Sequence, residues 1–213
     1  MSLVHLLREP AGDAEGALVL NHGRGTDEGD LHSLLEVLDP SARLLGITPG
    51  APHTDIPPGG RHWYRVPRVG FPDPETFRHS YALLTAFLDE TLQAWGIGWE
   101  RTVVGGFSMG AVMSYAVGLG AGRPSPAGIL AMSGFIPTVE GWTAELDGRQ
   151  GLSVLIHHGR NDPVIEVGFG RAANEALKRG GIDVAYHETD AGHWVPPELL
   201  GEFAEFVDNS LSS

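Results

Sequence analysis

The chain has 213 residues, of which 42% are hydrophobic and 19% are charged, as in globular proteins with room for one buried core. Its formal net charge is -13 and Lys178 is the only lysine, so no basic stripe is available to bind nucleic acid. Cysteine is absent, which excludes disulfides, thiolate metal sites and a cysteine nucleophile.

The apolar segments of the sequence are all short. None approaches the ~18 apolar residues of a membrane-spanning helix, and the amino-terminal stretch has no basic leader followed by an apolar run. We therefore expect no integral membrane association and no secretion. A cytoplasmic location is predicted, and it suits a chain without cysteine.

Apolar periodicity predicts strands that alternate with helices. In chain order the elements are an edge strand at 3–8, a strand at 17–20, a helix at 31–38, a strand at 43–47, a long helix at 74–95, a strand, turn and helix over 102–118, strands at 128–132 and 154–158, a helix at 169–179, a strand at 184–187 and a last helix at 199–207. This alternation is typical of an α/β fold with a mainly parallel sheet covered by helices on both faces. We expect residues 1–213 to form one domain.

The segment GFSMG at residues 106–110 lies between the predicted strand and helix of 102–118. G-x-S-x-G in that context is typical of a nucleophile elbow, a tight turn that exposes a serine, here Ser108. A serine hydroxyl needs a neighbouring base and a carboxylate that orients the base. Asp162 and His193 follow Ser108 in the expected order, each in a loop after a predicted strand. We predict these three as the catalytic residues, with Asp190 as the rival carboxylate.

A serine nucleophile also needs backbone N–H groups that stabilise the oxyanion of the tetrahedral intermediate. Met109 directly follows the serine at the start of a helix, where the helix dipole favours negative charge. The second donor should come from a glycine loop after an early strand, and HGRG at residues 22–25 has that position. We predict the N–H groups of Arg24 and Met109 as the oxyanion hole, and a structural role for His22.

Residues 48–74 are rich in proline and glycine yet carry several aromatic residues. A loop of this length inside a compact domain usually has a function. We predict that Trp63, Tyr64 and Phe71, together with Trp194, line the substrate pocket; the alternative is that they only cover the sheet.

Cofactor motifs are missing from the sequence. The ten histidines include no H-x-H or H-E-x-x-H spacing, and neither a P-loop nor a dinucleotide-binding glycine motif is present. We predict no metal and no cofactor.

Four segments together resemble the phospholipase/carboxylesterase family of the α/β-hydrolase superfamily, which includes small carboxylesterases and acyl-protein thioesterases. They are NHGRG at 21–25, GFSMG at 106–110, HGRND at 158–162 and the Gly192-His193 pair. The resemblance implies an α/β-hydrolase fold with a minimal cap or none, and the catalytic and oxyanion residues named above. It also implies hydrolysis of carboxylic ester or thioester bonds of small to medium acyl substrates, and it is compatible with a homodimer.

The long loop departs from the family pattern. Relatives tend to have an acidic residue after the aromatic pair, where this chain has Arg65, and Arg61 and Arg68 make the loop locally basic. The sequence is therefore compatible with an acidic group on the substrate. It is also compatible with lysophospholipase or peptidase activity, and with a protein of the same fold that binds a ligand without catalysis.

Overall fold

The computed structural model describes residues 3–149 and 151–212. Seven strands form one sheet in the order β1-β3-β2-β4-β5-β6-β7. They are β1 (His5–Arg8), β2 (Gly16–Asn21), β3 (Leu44–Pro49), β4 (Thr102–Phe107), β5 (Gly128–Met132), β6 (Ser153–Gly159) and β7 (Asp183–Thr189). Every neighbouring pair is parallel except β1 with β3, which places the antiparallel strand at the edge. The predicted mainly parallel sheet is confirmed.

Helices cover both faces of this sheet because side chains alternate between the faces along each strand. The helices are α1 (Leu34–Leu38), α2 (Pro74–Ala94), α3 (Met109–Leu119), α4 (Val167–Arg179) and α5 (Leu200–Leu211). On β4, Val104 belongs to the core shared with α2, α3 and α4, whereas Val103 belongs to the core shared with α1 and α5. In the part of the chain described, no helix is both long and apolar enough to cross a membrane.

Two helix starts illustrate how local sequence sets the element bounds. Asp73 caps α2 by accepting a hydrogen bond from the Thr76 N–H at 3.0 Å, and Pro74 occupies the first helical position. By contrast, α1 begins at Leu34, three residues later than predicted. The preceding segment is held by turn-type hydrogen bonds such as His32 N–H to Gly29 O. The first residues of the predicted helix therefore lie in turns.

Candidate active site

Ser108 lies in the turn between β4 and α3, at the carboxyl end of a central strand. Its φ of 55° and ψ of -117° place a non-glycine residue in a region that L-amino acids rarely adopt. The Ser108 N–H donates to Met132 O at 2.8 Å, which ties the turn to the neighbouring strand β5. The turn is therefore held in the conformation that points the hydroxyl away from the sheet.

The glycines on either side of Ser108 allow backbone segments to approach closely. A Cβ on Gly106 would lie 2.6 Å from Asn21 O. A Cβ on Gly110 would collide with the same carbonyl group and lie 2.6 Å from His22 O. The end of β2 thus packs directly against the elbow, and only glycine fits at both positions.

Gly110→Ala is expected to lower the free energy of unfolding by about 2–4 kcal/mol, because the added methyl group meets backbone atoms that cannot rotate away. Urea unfolding followed by circular dichroism measures the change. Gly168→Ala is the matched control, since Gly168 has the same position in α4 and no atom within 4 Å of an added Cβ. We expect the control to differ from wild type by less than about 1 kcal/mol. Equal stability of the two variants would contradict the packing argument.

The structure brings Ser108, His193 and Asp162 together from three different loops. His193 Nε2 accepts a hydrogen bond from Ser108 Oγ at 2.9 Å, while His193 Nδ1 donates to Asp162 Oδ2 at 2.7 Å. Ser108 and Asp162 are only 7% and 6% exposed. This continuous hydrogen-bonded chain from carboxylate to hydroxyl is the geometry that activates a serine.

Asp162 is held as a carboxylate by donors on both of its oxygens. Oδ1 accepts the Val164 and Ile165 N–H groups at 2.8 and 2.9 Å, and Oδ2 accepts from His193. Burial alone would raise the pKa of Asp162, but these hydrogen bonds outweigh the burial and lower the pKa below its ordinary value. The rival Asp190 is exposed and paired with Arg160.

His158 is a positioning residue that the sequence patterns did not identify. It is fully buried, and its Nε2–H donates at 2.8 Å to the carbonyl oxygen of Ile165, the residue whose N–H bonds Asp162. It therefore fixes the turn that presents backbone donors to the carboxylate. The signal was its position four residues before Asp162 in the segment HGRND.

His157, on the opposite face of β6, is also fully buried, with Nε2 3.0 Å from Thr189 Oγ1. Burial, with smaller contributions from neighbouring histidines, lowers the pKa of His157 to about 4. The folded protein thus keeps this ring neutral, while the unfolded chain protonates it near pH 6.5. Its contribution to stability is present above pH 6.5 and is lost as the pH falls toward 4.

We expect the free energy of unfolding to fall by up to about 3 kcal/mol between pH 7 and pH 4.5, with His157 as a main cause. His157→Gln should flatten that slope, whereas the exposed His79→Gln should retain it. Urea titrations at half-unit pH intervals give the slope of each variant. A wild-type slope in His157→Gln would show that other groups cause the loss of stability at acidic pH.

The loop at residues 22–25 packs over the elbow. A Cβ on Gly23 would lie 3.8 Å from Ser108 Cβ. His22 holds this loop, because its Nδ1–H donates to Gly23 O at 2.7 Å and its Nε2 accepts the Ala51 N–H at 3.0 Å. Burial lowers the pKa of His22, which favours the neutral ring that these two bonds require.

The backbone N–H groups of Arg24 and Met109 remain available beside Ser108. Both residues line the cavity above the serine, and neither N–H donates a hydrogen bond to another described residue. Met109 is the first residue of α3, so its N–H also carries the positive end of the helix dipole. Two unused N–H donors at this place can stabilise the negative charge of an oxyanion through hydrogen bonds.

A cavity of about 600 Å³ opens above Ser108 and His193. Its wall is mainly apolar and includes Leu31, Leu34, Val66, Met132, Phe135 and Val195. Tyr64 and Trp194 line it as predicted; the first is buried and the second is 53% exposed at the mouth. Within residues 3–149 and 151–212, no group of three or more histidine or carboxylate side chains could hold a metal ion.

Two predicted pocket residues lie outside this lining. Trp63 is fully buried behind the elbow, where its Nε1–H donates to His22 O at 3.0 Å and its backbone N–H contacts Met109 Sδ at 3.2 Å. It thus packs behind the loop at residues 22–25 and does not line the cavity. Phe71 is 49% exposed and stacks under the Arg68 guanidinium, which lies 3.6 Å from its ring centroid.

A sequence profile of the phospholipase/carboxylesterase family matches residues 5–211. The chain belongs to this family. Acyl-protein thioesterase 1 from Candida albicans is 28% identical to the chain, over 97% of each protein. Esterase YpfH from Escherichia coli is 28% identical, over 88% of this chain and 80% of the relative. The crystal structure of Zea mays acyl-protein thioesterase 2 superposes with a TM-score of 0.78 and 27% identity, covering 98% of this chain and 99% of that protein.

Membership of the phospholipase/carboxylesterase family confirms the predicted α/β-hydrolase fold with a minimal cap and the predicted class of activity. The protein is a serine hydrolase of carboxylic ester or thioester bonds.

Proposed function

We propose that Ser108 is the nucleophile, His193 the general base and Asp162 the residue that orients the base. The observation that carries this proposal is the unbroken hydrogen-bonded chain between the three side chains at the floor of an apolar cavity. Ser108 Oγ attacks the carbonyl carbon of the substrate while His193 Nε2 takes the hydroxyl proton. Asp162 keeps the proton of the imidazole on Nδ1, so that Nε2 is free to accept.

The Arg24 and Met109 N–H groups donate to the negative oxygen of the tetrahedral intermediate. His193 then gives its proton to the departing alkoxide or thiolate, which leaves an acyl group on Ser108. In the second half of the reaction a water molecule attacks this acyl group and His193 accepts its proton. Collapse of the second intermediate returns the proton to Ser108 and releases the acid, and no cofactor takes part in any step.

The intact reacting geometry argues against a protein that only binds ligands. Ser108 stays in a strained conformation, and strain of this kind costs about 1–3 kcal/mol and is retained at sites that use it. A binding pocket needs neither the strained serine nor the aligned imidazole. We therefore favour catalysis over ligand binding without catalysis.

The cavity suits small to medium acyl chains, because its ~600 Å³ lies within the range of small-molecule sites and its wall is apolar. The test is a scan of 4-nitrophenyl esters from acetyl to decanoyl, beside thioesters of the same acids, with Ser108→Ala as the blank. We expect kcat/KM to rise by up to about fourfold for each methylene that enters the cavity, since burying one CH₂ contributes about 0.8 kcal/mol. A flat profile would contradict an acyl-binding cavity.

The single domain and the cytoplasmic location stay predictions, and the sequence is compatible with a homodimer without predicting an oligomeric state. The location is supported by the cysteine-free sequence. Sedimentation at several protein concentrations tests the homodimer.

A further inference from the structure

The cavity above Ser108 carries two arginines on a wall that is otherwise mainly apolar. Arg24 and Arg68 line it from different loops, and Asp30 is the one carboxylate among its lining residues. The catalytic His193 is the remaining titratable lining residue, apart from Tyr64. Formal charge therefore gives the lining a positive excess, on a protein whose net charge is -13.

The Arg68 guanidinium contacts an aromatic ring and not a carboxylate. This guanidinium lies 3.6 Å from the centroid of the Phe71 ring, which is a cation–π contact. No described carboxylate lies within ion-pair distance of it, and its N–H groups make no hydrogen bond to another described residue. The contact with Phe71 thus leaves the donors of this guanidinium free for a ligand.

The backbone of Arg24 places this residue next to Ser108. The guanidinium donates to Pro57 O at 3.2 Å and forms no ion pair among residues 3–149 and 151–212. Since the Arg24 N–H is the proposed oxyanion donor, this side chain begins next to the reacting carbonyl group. The guanidinium group itself is hydrogen-bonded to Pro57, which is not among the residues that line the cavity.

Unpaired arginines in these two loops are unexpected, because the chain has 27 acidic residues and only 14 basic ones. The other arginines of the same loops are neutralised: Arg61 pairs with Glu28 at 3.0 Å and Arg65 pairs with Asp55 at 3.5 Å. Of the four, Arg24 and Arg68 line the cavity and lack a carboxylate partner, and the Arg68 guanidinium also lacks a hydrogen-bond partner among the described residues. Arg68 is therefore a cation at the cavity whose charge and hydrogen-bond donors no described residue satisfies, and this suits an anionic ligand.

We propose that Arg68 recognises a carboxylate at the far end of the acyl chain, so that monoesters or monothioesters of aliphatic dicarboxylic acids are preferred substrates. The inference rests on the proposed function, because it assigns the acyl side of the Ser108 reaction. The methylene chain contacts the apolar wall, and the terminal carboxylate accepts hydrogen bonds from the Arg68 guanidinium at the mouth. Guanidinium is suited to this task because its planar donors match a carboxylate.

The test compares mono-4-nitrophenyl suberate with 4-nitrophenyl octanoate, two esters of equal acyl length that differ in the terminal carboxylate. The measured quantity is the ratio of kcat/KM for the anionic ester to that for the neutral one. Arg68→Met removes the charge and retains an unbranched side chain. We expect this variant to lower the ratio roughly three- to tenfold, the size of a charged hydrogen bond at a partly exposed site. Added sodium chloride should lower the wild-type ratio in the same direction.

Arg78→Met is the matched control. Arg78 is exposed, it forms no ion pair within the described residues, and it donates to Glu140 O away from the cavity lining. We expect its ratio to equal that of wild type. An unchanged ratio in Arg68→Met, or an equal fall in Arg78→Met, would overturn the proposal.

The neutral ester separates this inference from the proposed function. If wild type and Ser108→Ala hydrolyse octanoate at the same rate, the proposed function fails. If the octanoate ester is hydrolysed through Ser108 but the ratio is unchanged in Arg68→Met, only the proposed carboxylate site is ruled out.

Discussion

Ser108→Ala is expected to lower kcat for an activated ester by about 10⁴-fold or more, because no other group can form the acyl-enzyme. The fold should persist, since the backbone bond from Ser108 N–H to Met132 O does not involve the side chain. Steady-state hydrolysis of 4-nitrophenyl butyrate measures the loss, and thermal unfolding checks the fold.

Ser133 provides the matched control for that experiment. It is also a buried serine with positive φ, 53°, and its hydroxyl has no hydrogen-bond partner in the part of the chain described. Ser133→Ala should hydrolyse the ester at close to the wild-type rate. Near wild-type turnover in Ser108→Ala would remove the assignment of the nucleophile.

Asp162→Asn is expected to lower kcat by about 10³–10⁴-fold, because it would stabilise the wrong tautomer of His193. Oδ1 accepts two backbone N–H groups, so the amide oxygen of an asparagine would stay at that position. Its NH₂ group would then face His193 Nδ1 and donate to it. The imidazole proton would move to Nε2, which could no longer accept the proton of Ser108.

Asp190→Asn is the comparison for the same chemical change. Asp190 lies three residues before His193 but pairs with Arg160 at the surface, so its loss should change kcat by less than about twofold. The pH dependence of kcat for both variants, measured on one ester, distinguishes the two carboxylates. A larger effect from Asp190→Asn would assign the acid role to the rival.

The fold, and the approach of Ser108, Asp162 and His193 to one another, could be predicted because both follow from local patterns. β-branched runs that alternate with helical periodicity allow only a few topologies, and in a parallel sheet the loops after the strands meet at one edge. Ser108, Asp162 and His193 each follow a strand end, so the topology alone predicted that they approach one another. The chain order of the three residues matched the elbow pattern independently.

The lining of the pocket could not be predicted from the sequence. Trp63 and Tyr64 are neighbours, and nothing local determines which ring faces the cavity and which lies behind the elbow. Trp63 is buried because His22, on a separate loop, offers a carbonyl oxygen to its indole N–H. Likewise, the Arg68 guanidinium is unpaired because no described carboxylate folds within reach of it. The number of arginines in the sequence does not reveal which of them find a carboxylate.

Covalent labelling by a fluorophosphonate tests the central role of Ser108 most directly. The reagent forms a stable phosphonyl ester with a serine that a neighbouring base activates, and peptide mass mapping locates the adduct. The account predicts one adduct per chain, on Ser108, with complete loss of ester hydrolysis and no adduct in Ser108→Ala. An adduct on a different residue, or full ester hydrolysis after complete labelling of Ser108, would contradict it.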